Sequence, residues 1–532
     1  MTRFLFQIRE YSAKEDTDMQ KKILLFAPSQ FASLRKDKTF SEHAFYELGD
    51  PLGICYLGGM LKQKGYEVKL MHQVNKTNDE VLEEILEFAP DLVGISVMSI
   101  DYKTALDISK RLKSTRKNIP IIFGGYHATT HPEIVKEESI DAVVIGHGEY
   151  ALLELAEHYL GNKRKRLGQI AGIAYFDNGV KITKRRVTSQ EEFINIPAPL
   201  REGLPREHYL KVSFQEIPMS EMNYAFVGSS RGCPYSCSFC LNEIMNCRKI
   251  NYFDVKKVVD EIEALVDNGV NYFFFADEAF TINKDHLSEL CNELINRGIQ
   301  KKAKWGSFGA VEDICNKKFV HYLNLMREAG CEELQIGVES GDTFTLKAMN
   351  KHSTPSKAVS AFRNIREAGL LSAAYIIIGT PYETMKSLEN TKKGIFRIKP
   401  DRISVYYEIP FKGCRDYEKY KNLIATTDAD KFTSDEIILR NDVLDAQVKA
   451  SPALKKMGLG NYRGFLRWKR LDIIRGWYGS KEFYNLQLQN LAANPKRFKC
   501  AVEWFKIVHK AVPEFKYGRF IRDAKNIIKT MA

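Results

Sequence analysis

The chain has 532 residues, 44% of them hydrophobic and 27% charged, with a formal net charge of +12; that balance suits a globular protein of two or three domains and excludes a disordered or collagen-like one. No window approaches the roughly 18 uninterrupted apolar residues of a membrane span, and the opening stretch mixes acids and bases where a secretory segment would be apolar. A cytoplasmic location is therefore expected, and with it ten Cys that form no disulfide framework. The charge is uneven: residues 451–532 hold 18 Lys and Arg against 5 Asp and Glu, and the rest is nearly neutral. Such a surplus points to an anionic partner or to a solvated basic face.

Periodicity begins at Lys21, which leaves 1–20 as an N-terminal extension. From there to about Leu160, candidate strands Ile23–Phe26, Glu67–Leu70, Leu92–Ser96, Ile121–Phe123 and Ala142–Ile145 alternate with helices near 52–64, 79–88, 102–114 and 132–137. This alternation predicts a doubly wound, Rossmann-like parallel sheet over 21–160, with any ligand beyond the carboxyl ends of its strands. The turns there carry Ser96 and Met98, Gly124-Gly125-Tyr-His127, and Gly146-His-Gly148-Glu149, and paired glycines let a bulky ligand approach the backbone. Residues 161–222 read as a linker, with a hairpin around Asn178-Gly179 and then a Pro-rich stretch.

A second alternating series spans 223–420, with strands at 225–228, 272–276, 304–308, 333–338, 373–378 and 403–408. Six such units predict a partial α/β barrel with its active site at the strand ends. Residues 421–532 lose the strand pattern and read as a helical, basic C-terminal domain. In it Trp468, Trp477 and Trp504 accompany an apolar stripe of Phe498, Ala501, Val502, Phe505 and Val508. The stripe fits either packing within its own domain or contact with an anionic membrane.

The decisive motif is Arg231-Gly-Cys233-Pro-Tyr-Ser-Cys237-Ser-Phe-Cys240, directly after the first strand of the second series. One loop with this spacing can offer three thiolates to three corners of an iron–sulfur cubane and leave one iron open. Structural zinc takes four ligands in paired short spacings, and the nearest His-x3-His, His127 and His131, lies in the other domain. The remaining Cys are scattered singly, so one cluster is expected.

The triplet, with Phe239 before its last Cys, resembles the radical S-adenosylmethionine superfamily. The resemblance implies a [4Fe–4S] cluster on Cys233, Cys237 and Cys240 whose open iron binds S-adenosylmethionine. It further implies reductive cleavage to a 5′-deoxyadenosyl radical, fed by an external electron donor of the flavodoxin or ferredoxin type. Asp277 and Glu278 resemble the segment that receives the methionyl ammonium, and Glu339 with Ser340 the motif near the ribose. Gly379 and Pro381 resemble the turn near the adenine, although Tyr382 stands where a glycine usually precedes Glu383.

The first domain resembles the cobalamin-binding domains found upstream of the radical domain in one large subclass. Ser96, Met98, Gly124, Gly125, His127, Gly146, Gly148 and Glu149 are its implied cobalamin-binding positions. The Asp-x-His-x-x-Gly motif that supplies a lower cobalt ligand elsewhere is missing; Ala27-Pro28-Ser29-Gln30 stands in that loop. The subclass implies methylation of an unactivated carbon through methylcobalamin, or an oxidative cyclisation of the tetrapyrrole cyclase kind with the same cofactors. The substrate would be a small molecule, lipid-like if the last domain touches the inner membrane surface. A cobalamin- or redox-sensing regulator is the alternative of another class, but no reader motif for nucleic acid is present.

Overall fold

A computed structural model describes residues 20–28, 49–161, 165–209, 216–426, 428, 431 and 435–531. Residues 1–19 of the expected extension, and Ser29-Gln30 of the first loop, lie outside the described residues.

The first unit is built on β1 (Lys22–Ala27), β2 (Glu67–His72), β3 (Leu92–Ser96), β4 (Ile121–Gly124) and β5 (Ala142–Val144), all parallel, in the order β2-β1-β3-β4-β5. The strands are apolar on both faces because helices cover both. The order reverses between β1 and β3, and such a reversal opens a crevice at the strand ends. Local signals set the crossovers: Thr77 and Glu80 form a capping box at the start of helix Asn78–Phe88, and Ala89 ends it in the left-handed conformation. The segment expected as a helix near residue 132 is a 3-10 turn, Pro132–Lys136, while a short helix, Gly125–Thr130, occupies the turn after β4. The hairpin β6 (Ile173–Phe176) and β7 (Val180–Ile182) joins the free edge of β5 antiparallel, which builds part of the connector into this sheet.

The second unit opens with β8 (Tyr224–Val227). A ribbon of β9 (Ser230–Arg231) and β10 (Asn251–Tyr252) then brackets the cysteine loop. β11 (Tyr272–Phe275), β12 (Lys304–Gly309), β13 (Cys331–Glu339), β14 (Leu371–Ile378) and β15 (Arg402–Tyr407) complete a six-stranded parallel sheet in sequence order. β8 and β15 do not meet, so the barrel is open and has two strand edges to satisfy. On β8, Asp50 accepts from Phe226 N at 2.9 Å and Arg201 donates to Phe226 O at 2.8 Å, the two side chains being paired at 2.9 Å. On β15 the Tyr478 hydroxyl does both jobs, meeting Ile403 N at 3.0 Å and Ile403 O at 3.2 Å.

Tyr478 ends the helix Tyr462–Tyr478, the longest of those that cover the β15 edge. Trp477 beside it is fully buried, donates to Pro400 O at 3.2 Å and packs on Phe396 and Phe483. Ala501, Trp504, Phe505 and Val508 are buried as well, with Phe505 stacked on Phe515. The aromatic stripe therefore packs within its own domain, which takes from membrane contact the apolar face it would use. Among the described residues no helix is long and apolar enough to cross a membrane. One apolar core runs from one face of the first sheet through the barrel into these helices, and a second covers the other face of the first sheet.

Replacing Trp477 by Ala should destabilise the chain by about 3–5 kcal/mol, the usual cost of a large aromatic removed from a packed core. Chemical denaturation checks this, and a loss below about 1 kcal/mol would show that the C-terminal helices are not one body with the barrel.

Candidate active site

The carboxyl ends of the first sheet and of β8 and β11 in the second face a shared cavity of about 480 Å³. The first unit contributes Ser96, Met98, Gly124, Gly125 and the turn Gly146-His147-Gly148-Glu149; the second contributes Gly228, Ser230, Arg231, Asn246, Ala276 and Glu278. The cavity also reaches inward to Leu25, Gly94, Ile122, Val144 and Leu152, forming an apolar slot in the first domain. Gly125 has φ +91, and a Cβ there would lie 2.9 Å from Val97 N and O, so this glycine serves the meeting of two turns.

The cysteine loop adjoins this cavity and is held from both sides. Met349 O accepts from Ser238 N at 2.9 Å, and Asn350 Nδ2 donates to Ser236 O at 2.7 Å. Asp416 accepts from Ser238 Oγ at 2.7 Å and donates its own N–H to Ser238 O at 3.0 Å. Gly232, at φ +109, passes so close to Lys249 that a Cβ would fall 1.9 Å from its carbonyl oxygen. Cys233, Cys237 and Cys240 are free thiols; the first two are half-buried and the third is exposed. Burial pushes the Cys237 thiol up to about 12, so an added positive centre is needed to hold it as a thiolate.

Among the described residues, no three His, Cys, Asp or Glu side chains are placed to hold a single metal ion. Three free thiols on one loop are a donor set that suits three corners of a cubane. Lys351 lies behind them, its ammonium 3.0 Å from Glu339 Oε1. Burial opposes that charge, but Glu339 and Cys237 outweigh it and hold the ammonium above its ordinary range. Glu339 itself sits at φ +63, a conformation that costs a non-glycine residue about 1 kcal/mol or more.

Between the cavity and the cysteine loop runs a closed ring of polar contacts. Arg231 pairs with the buried Glu149 at 2.5 Å and donates to His147 Nδ1 at 3.2 Å. Arginine only donates, so His147 Nδ1 is the acceptor and the ring proton sits on Nε2. That N–H donates to Asn246 Oδ1 at 2.6 Å, and Asn246 Nδ2 faces Glu278 Oε1 at 3.5 Å. Glu278 Oε2 then accepts from Gly232 N at 2.8 Å, beside Arg231 again. The Arg231 guanidinium lies 4.5 Å from the Tyr56 ring centre, with Phe193 and Phe253 also against it. Burial, then Arg231, lowers the His147 pKa, so the imidazole is neutral and neither nitrogen is free for cobalt.

Of the residues expected at a cobalamin site, all but His127 line the cavity. His127 is buried elsewhere, bonded to Ser99 at 3.1 Å and stacked against His131 at 4.3 Å. Of those expected at S-adenosylmethionine, Glu278 lines the cavity. Asp277 is consumed by the turn before the cysteine loop, accepting from Ser229 N, Ser229 Oγ and Ser230 Oγ at 2.5–2.8 Å. Ser340 bonds Thr391 Oγ1 at 2.9 Å and braces the helix behind the sheet. Gly379, with Thr380, donates its N–H to Glu383, whose carboxyl burial pushes up to about 8, while Pro381 is buried and Phe239 half-buried. Arg231 was in the motif without a role, and Tyr56, Asn246 and Lys351 carried no signal; only proximity in the fold reveals them.

Burial holds His72 at about 4 and His127 at about 3, against 6.5 when exposed. Below about pH 6.5 the unfolded chain takes up protons that the folded chain refuses, so stability should fall as pH drops toward 4. Urea midpoints at pH 7.5 and pH 5 should show the loss, and His127→Gln should reduce it; equal midpoints would contradict the burial of these imidazoles.

The chain matches the B12 binding domain over residues 43–156 and the Radical SAM superfamily over 227–394. It is 30% identical over 438 residues to the anaerobic magnesium-protoporphyrin IX monomethyl ester cyclase of Cereibacter sphaeroides, covering 79% of this chain and 68% of the relative. An uncharacterized methyltransferase of Pyrococcus horikoshii is 28% identical over 399 residues, covering 74% and 83%. Among solved structures, the radical S-adenosylmethionine methyltransferase TsrM from Kitasatospora setae superposes with a TM-score of 0.62 at 16% identity, covering 96% of this chain and 99% of that one. With both domain matches in place, and their strand ends sharing one cavity, the chain belongs to the radical S-adenosylmethionine enzymes that carry a B12-binding domain.

Proposed function

We propose that the protein methylates an unactivated carbon of a small or lipid-like molecule held between its two domains. The observation that carries this reading is the cavity shared by the strand ends of the first domain and the ends of β8 and β11 in the second, whose wall includes Arg231 two residues before Cys233. When bound, the cofactors supply the chemistry: a [4Fe–4S] cluster and S-adenosylmethionine for radical formation, and cobalamin for methyl transfer.

The chain's own groups bind and orient. Cys233, Cys237 and Cys240 would hold the cluster. Lys351, steadied by Glu339, offers a buried ammonium for a carboxylate such as that of S-adenosylmethionine. The apolar slot from Gly94 to Leu152 would take the cobalamin tail, and the strand-end glycines let the corrin lie against backbone. With His147 spent on Arg231 and Asn246, and His127 turned away, the cobalamin is expected without a histidine ligand from these turns. A flavodoxin- or ferredoxin-type donor in the cytoplasm would supply electrons.

The rival is cyclisation without methyl transfer, favoured by the similarity to the Cereibacter cyclase. Anaerobically reconstituted protein given cobalamin, reductant and methyl-labelled S-adenosylmethionine should place label on cobalamin and release S-adenosylhomocysteine. Formation of 5′-deoxyadenosine with no label transfer would favour the rival. Alanine at all three cluster Cys should reduce bound iron to background in an iron assay. Lys351→Met should weaken S-adenosylmethionine binding by roughly ten- to a hundredfold, the worth of one charge-assisted bond, with Lys351→Arg restoring most of it in equilibrium dialysis.

A further inference from the structure

We infer that the ring Glu149–Arg231–His147–Asn246–Glu278 couples the two cofactor seats, so that cobalamin binds more tightly once the cluster is in place. The inference rests on the cofactor reading above and adds to it an energetic link between the sites.

All five ring residues line the cavity. Two of them, His147 and Glu149, belong to the β5 turn of the first domain, next to Gly146 and Gly148. The other three belong to or touch the cysteine loop: Arg231 stands two residues before Cys233, Asn246 lies on the helix after Cys240, and Glu278 holds Gly232 N. The ring thus spans the two surfaces that the two cofactors would occupy.

Its ends differ in how firmly they are held without a ligand. Ser236 and Ser238 are clamped by Asn350, Met349 and Asp416. Arg231 is fixed by the β9–β10 ribbon and three aromatic rings, but from Gly232 to Cys233 the loop's side-chain anchors are Glu278 and Asn242. Ligation of Cys233 would fix that step and, through Asn242 and Glu278, the Asn246 side chain that holds His147 of the β5 turn. A ligand entering a turn that is already ordered avoids the entropy of ordering it, which appears as tighter binding. Linkage makes the effect mutual: bound cobalamin must favour the cluster by the same factor. Arg231 and Asn246 are on this account positioning residues.

The test compares hydroxocobalamin affinity for the reconstituted full-length protein and for the same protein stripped of iron by a chelator. The native chain should bind roughly tenfold more tightly with its cluster, within the usual range of such couplings. Asn246→Ala opens the ring at a half-buried position and leaves the Glu149–Arg231 pair intact. It should bring the ratio close to one while iron content and the denaturation midpoint stay near native. The double variant Glu149→Gln with Arg231→Met, which leaves no buried charge unpaired, should also bring the ratio close to one. A purely structural role would weaken both affinities and preserve their ratio. A native ratio of one, or a variant that keeps the native ratio, overturns the coupling alone. Protein that takes up no cobalamin in either state overturns the coupling and the cofactor reading together.

Discussion

A buried ion pair between Glu149 and Arg231 ties the first sheet to the cysteine loop, and the active-site architecture depends on it. Two charges removed from water are costly unless their geometry is good and their remaining hydrogen-bonding capacity is met. Here Tyr56, Phe193 and Phe253 surround the guanidinium, and His147 Nδ1 accepts a hydrogen bond from it. Either residue alone would be an uncompensated buried charge. The pairing therefore selects the arrangement in which the β5 turn and the β9 strand lie side by side, and that arrangement places the first sheet's strand ends and those of β8 and β11 on one cavity.

Apolar continuity supports the same contact. Tyr56 stacks on Phe253 at 5.0 Å with nearly parallel rings, and the core of the barrel runs without a break into one face of the first sheet. The apolar surface supplies affinity between the domains. The polar ring supplies register, because its partners are directional and few.

The strands were legible in sequence to within a residue or two because runs such as Ile121–Phe123 and Tyr272–Phe275 are apolar on both faces and bounded by turn residues. The cysteine loop was legible because its spacing is itself chemistry. The roles of polar residues at strand ends were less so. Asp277 and Glu278 are adjacent carboxylates on one turn, yet the first braces Ser229 and Ser230 while the second faces the cavity. Ser340 and His127 similarly turn toward Thr391 and Ser99. Which way each side chain points follows from the neighbouring element, and one-dimensional order does not contain that neighbour. Lys351 is the converse case, since its importance arises from its nearness to Cys237, far upstream in the chain.

The open barrel keeps two seams, one closed by Asp50 and Arg201 and the other by the hydroxyl of Tyr478. Each closure is made by side chains from outside the sheet: the first holds β8, which leads into the cysteine loop, and the second holds β15 at the far edge. The helices outside β15 can therefore shift with that far edge of the sheet while the cysteine loop beyond β8 stays put. A scaffold fastened in this way can accommodate guests of very different girth without rebuilding its reactive centre.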